Sequence, residues 1–157
     1  YVAKPVGTLL SPVHRFWSSI YRGHFFTISE NEKDFLIANS SKDWHYEGIA
    51  YHAYPVAIYG SVPLYRFWSD RYRGHFFTIS EDEKNHIRAN LGRDWTYEGV
   101  AYYVLPALES GVEPVFRFWS PRYRHHFFTI SEAEKDHIVD ALSDDWQYEG
   151  VAFHAWP

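Results

Sequence analysis

One arrangement of residues returns three times at a fixed interval, and it limits what the chain can become. Arg15-Phe16-Trp17-Ser18, followed by His24 to Glu30, recurs as Arg66 to Ser69 with His75 to Glu81. It recurs again as Arg117 to Ser120 with His126 to Glu132, 51 residues apart both times. A second block, Asp43-Trp44 with Tyr46-Glu47-Gly48, repeats as Asp94-Trp95 with Tyr97-Glu98-Gly99 and as Asp145-Trp146 with Tyr148-Glu149-Gly150. About 23 of every 51 positions are identical in all three copies. An unbroken register of this kind means one structural unit used three times. A unit of that size buries too little surface to be stable alone, so neighbouring units are expected to share a core.

Each copy carries the same local signals. Val13 to Trp17 is apolar, aromatic and β-prone, and reads as a strand; His24 to Ile28 reads as a second strand after a polar turn. Ser29 then sits three residues before Glu32, a capping-box spacing repeated at Ser80 with Glu83 and Ser131 with Glu134. The helices it opens are expected to end near Asn39, Asn90 and Ala141. Ile49 to Tyr54, Val100 to Leu105 and Val151 to Trp156 read as the third strand of each copy. Gly48, Gly99 and Gly150 are expected to meet a backbone need, either positive φ or a close approach.

The fold predicted is α+β: one domain, residues 1–157, of three β-β-α-β repeats (5–55, 56–106 and 107–157) around a pseudo-threefold axis. A linear array is the alternative. Residues 1–11 form a lead-in in which Tyr1-Val2-Ala3-Lys4-Pro5 resembles Tyr51-His52-Ala53-Tyr54-Pro55. It reads either as the last strand of an earlier repeat or as a partner for the end of the last repeat.

Composition narrows the function classes. The net charge is -5, which argues against nucleic acid and anionic lipid as partners. There is no cysteine, so disulfides, thiolate metal sites and Cys catalysis are excluded. No apolar run is long enough to insert in a membrane. Tyr1 opens a chain without Met, so a processed form or a fragment is expected, and either fits an exported protein. No nucleophile elbow, phosphate loop or dinucleotide fingerprint is present. Near-identical repeats also supply the same groups three times, whereas acid–base catalysis needs groups in unlike environments. The expectation is a protein that is not an enzyme and needs no cofactor.

Aromatic residues make up 20% of the chain. Aromatic faces beside Arg and His suit a pyranose, whose apolar face stacks on a ring while its hydroxyls take hydrogen bonds. The candidate ligand-binding residues are Trp17, Tyr21, Arg22 and His24, then Trp68, Tyr72, Arg73 and His75, then Trp119, Tyr123, Arg124 and His126. The plainer alternative is an aromatic core in which Arg15 pairs with Glu47. His24, His75 and His126 could also converge as a three-His metal site, but no local His spacing supports one, and a His hydrogen-bonded at a strand start is the expectation. Phe35, His86 and His137 read as a solvent or interface face of the helices, where no function is placed.

The strings R-F-W-S, H-F-F-T-I-S-E-x-E-K and W-x-Y-E-G-V/I-A resemble a family of tandem aromatic repeats in exported microbial proteins, catalogued as a domain of unknown function. The resemblance runs from about Pro12 to Pro157. It implies a secreted or cell-surface, non-catalytic accessory or adhesion module for polysaccharide or cell wall, either stand-alone or attached to a larger exported protein. It implies no binding residues, so the candidate site rests on the residues alone. The competing expectation is a structural or protein-interaction module without glycan binding.

Overall fold

The computed structural model describes residues 10–157. The expected roles of Tyr1 to Pro5 lie outside the described residues. Three similar units follow one another, each a three-stranded antiparallel sheet with one helix. The first holds β1 (Ser11–Ser18), β2 (Gly23–Thr27), α1 (Glu30–Asn39) and β3 (His45–Ala53). The second holds β4 (Val62–Ser69), β5 (Gly74–Thr78), α2 (Glu81–Asn90) and β6 (Thr96–Val104). The third holds β7 (Glu113–Ser120), β8 (His125–Thr129), α3 (Glu132–Ala141) and β9 (Gln147–Ala155). The strand orders are β2-β1-β3, β5-β4-β6 and β8-β7-β9.

The first two strands and the helix lie where the sequence places them. The third strand does not: it begins at His45, four residues before Ile49. Its first half is exposed, so burial gives no pattern to read, and pairing with β1 from Trp17↔His45 onward extends it. The hairpin loop between β1 and β2 explains one repeated serine. Ser18 is fully buried, and its Oγ accepts from Tyr21 N–H at 3.0 Å; Ser69 and Ser120 do the same for Tyr72 and Tyr123.

The core takes four side chains from each unit: Val13, Phe26, Tyr51 and Ala53, then Leu64, Phe77, Tyr102 and Val104, then Val115, Phe128, Phe153 and Ala155. Phe26, Phe77 and Phe128 meet edge to face with centroids 5.5 to 6.0 Å apart, a favoured arrangement of ring quadrupoles. The Tyr51 and Tyr102 hydroxyls are 2.6 Å apart in this core, one donating and the other accepting.

The first unit touches the third as well as the second, which overturns the linear array. Paired backbone bonds join His52 to Trp156, Tyr54 to Tyr103 and Leu105 to His154. The inner strands β2, β5 and β8 also contact one another pairwise. Each unit has a sheet edge that needs partners, and its two neighbours supply them.

Candidate functional site

The polar centre of each unit comes from a bulge. In the β1–β3 pairing Arg15 faces Gly48 and Phe16 faces Tyr46, which leaves Glu47 without an opposite residue. Gly48 has φ 98°, a region open mainly to glycine, so this bulge depends on it. Glu47 Oε1 thereby accepts from Arg15 Nε at 2.8 Å and lies 3.2 Å from His24 Nε2. Arg66, Glu98 and His75 repeat the arrangement at 2.9 and 3.1 Å, and Arg117, Glu149 and His126 at 2.8 and 3.1 Å.

The guanidinium also crosses to a neighbour. Arg15 Nη1 donates to Glu134 of the third unit at 3.0 Å, and Arg117 Nη1 to Glu83 of the second at 3.2 Å. Arg66 Nη1 lies 3.7 Å from Glu32 of the first. These glutamates are the helix N3 residues of the capping-box spacing. Only half of that box forms. Ser29, Ser80 and Ser131 accept from the N3 backbone N–H, but their own N–H groups donate to Thr27, Thr78 and Thr129. The N3 carboxylates are therefore released to bridge between units.

Burial pushes the His24, His75 and His126 imidazoles below the ordinary histidine range, and the partner carboxylates only partly oppose it. His126 Nδ1 accepts from Phe77 N–H at 3.4 Å, which puts its proton on Nε2, facing Glu149. Burial raises Glu47, Glu98 and Glu149, but the histidine and arginine partners outweigh it and hold all three low. A carboxylate held low is a poor proton donor near neutrality. The three histidines each face their own glutamate, and no metal-holding cluster of His, Asp and Glu occurs among the described residues.

The candidate residues of one copy do not assemble into a site of their own. Trp17 pairs across the hairpin with His24, ring centroids 4.8 Å apart, and Trp68–His75 and Trp119–His126 do likewise. Tyr21, Tyr72 and Tyr123 instead pack on Trp44, Trp95 and Trp146. The two halves meet between units. A groove of about 270 Å³ between the third and first units is lined by Trp17, His24, Arg15 and Glu47 from one side, and by Trp146 and His137 from the other. A second, of about 190 Å³, lies between the second and third units, where Tyr72 and Trp95 face Trp119 and Arg124. There the Trp95 and Trp119 centroids are 6.5 Å apart. A further cleft of about 210 Å³ beside Ser80 and Arg117 has no indole wall.

Arg22, Arg73 and Arg124 are exposed and have φ near 60°, a conformation that costs a residue with a side chain. The side chain shows why arginine stays. Arg73 lies over Tyr21 of the preceding unit at 5.3 Å, and Arg124 over Tyr72 at 5.4 Å. Trp17, Trp68 and Trp119 are half-buried, as are the three tyrosines, whereas His75 and His126 are buried. Trp95 and Trp146 were not among the candidates, although their identity across copies marked them. His137 lines the first groove, at a helix position where no function was expected.

These features belong to a repeat-built aromatic domain with inter-unit grooves. The family described as Domain of unknown function (DUF5648) matches residues 1–105, and the chain belongs to that family. No curated protein and no solved structure matches the chain. No helix among the described residues is long and apolar enough to cross a membrane.

Proposed function

We propose that the chain is one domain of three 51-residue units (5–55, 56–106 and 107–157) in pseudo-threefold arrangement. On this reading it is a non-catalytic, carbohydrate- or cell-envelope-binding module of an exported protein. The observation that carries this is the groove between the third and first units. Two tryptophans line it, with histidine and carboxylate groups beside them. A half-buried indole offers a flat apolar face that a pyranose can cover, and the polar rim can orient its hydroxyls. Equivalent grooves on one chain would add avidity on a repeating polymer.

A structural or protein-binding module is the second reading. Its support is the apolar surface of the outer strands, where Ile49, Val100 and Val151 are 55%, 41% and 47% exposed. A pull-down on insoluble chitin, cellulose and bacterial cell wall separates the two. The intact chain is compared with a variant carrying Trp17→Ala, Trp68→Ala and Trp119→Ala, its fold checked by circular dichroism. Retention of the intact chain and release of the folded variant are expected. No retention on any of the three materials would favour the protein-binding reading.

A further inference from the structure

The three indole positions are not equivalent. Trp68 donates its indole N–H to Asp70 of its own hairpin loop at 2.8 Å. The matching positions are Ser19 and Pro121, and the indole N–H groups of Trp17 and Trp119 donate to no described residue. The groove floors differ in the same sense. Leu142 lies in the groove that Trp17 lines, and Leu91 in the groove that Trp119 lines. At the corresponding place opposite Trp68 the sequence has Ser40.

A stacked sugar needs an apolar face to cover and a donor to fix its orientation. Trp17 and Trp119 can supply both. Trp68 has its donor engaged by Asp70 and has no leucine opposite. We infer that the chain holds two pyranose sites, one on Trp17 and one on Trp119, and that the Trp68 position is not a third. This rests on the carbohydrate reading above. The ligand class it implies is a chain of all-equatorial, uncharged pyranoses. Each residue of such a chain presents an apolar face to a ring, and a hydroxyl or acetamido oxygen to the indole N–H.

Isothermal titration of the intact chain with hexamers of β-1,4-linked glucose and of β-1,4-linked N-acetylglucosamine reads the number of sites directly. The expected stoichiometry is two sites for at least one hexamer. Trp17→Ala and Trp119→Ala should each leave one, and the double variant none. Asp70→Pro with Ser40→Leu, which surrounds Trp68 with the residue types found around Trp119, Pro121 and Leu91, should raise the number to three. Three sites in the intact chain would overturn this inference and leave the carbohydrate reading standing, as would binding that survives in the folded double variant. Binding of neither hexamer, with retention on an insoluble material, overturns the sites as drawn here. Neither binding nor retention overturns both.

Discussion

Gly23, Gly74 and His125 stand at matching positions of the three units, where the inner strands meet, and only one of them has a side chain. A Cβ at Gly23 would fall 2.1 Å from His125 Nδ1, and one at Gly74 1.9 Å away. The centre therefore accepts one imidazole in place of three small residues. His125 is only 1% exposed, so its ring has nowhere to retreat. Gly74→Ala is expected to cost about 1–3 kcal/mol through overpacking. The same change in a His125→Gly background should cost almost nothing, because the ring it strikes is gone. Urea denaturation of the four proteins closes the cycle, and an equal cost in both backgrounds would refute the contact. The sequence showed a departure here, His125 where the other copies have glycine, but not its cause. Crowding at a shared centre involves residues 51 and 102 positions apart, and no local pattern records it. Gly48 was more legible, since a glycine held three times beside a strand points to a backbone need, and its φ meets that expectation.

At the scale of the element, the helices were the easiest part to read and their contacts the hardest. The Ser-x-x-Glu spacing located each helix start because an N-cap acts on its own first turn. The same local rule cannot foresee that Thr129 takes the N–H of Ser131, freeing Glu134 to reach Arg15 in another unit. The grooves share this property. Trp17 and Trp146 are far apart in sequence, and only the closure of the first unit on the third brings them to one groove. Ser131→Ala removes the bond from Glu134 N–H and leaves the bridge to Arg15 in place. It should lower stability by about 1 kcal/mol. Native-state hydrogen exchange should show α3 opening more readily, with β7 to β9 changed less. Uniform loss across the third unit would show instead that the helix and sheet open as one.

At the scale of the whole molecule, three units with a shared core are legible in the repeat, but ring and array both stay open. The deciding contacts are backbone bonds and ion pairs between units, which leave no mark on periodicity. Closure also buries ionisable groups. His24 packs against Phe127, His75 edge-on against Phe25 and His126 against Phe76, the two rings of each pair belonging to different units. Burial holds these three imidazoles low, and it pushes His125 down to about 4. In the unfolded chain each would titrate near the ordinary 6.5. Between the folded and unfolded values the unfolded state binds more protons, so stability rises with pH across that window. The contribution is complete above about 6.5 and is lost as pH falls toward 4. For His125 alone it amounts to about 3 kcal/mol. The three low glutamates act in the same direction at more acid pH. The urea midpoint should therefore stay nearly level from pH 8 to about 7 and fall steeply between about pH 6.5 and 4. His125→Gln should flatten that slope without removing it, because His24, His75 and His126 remain, each held low by burial. A midpoint that does not move between those limits would mean the histidines are not held neutral at the junctions, and the inter-unit packing drawn here would be wrong.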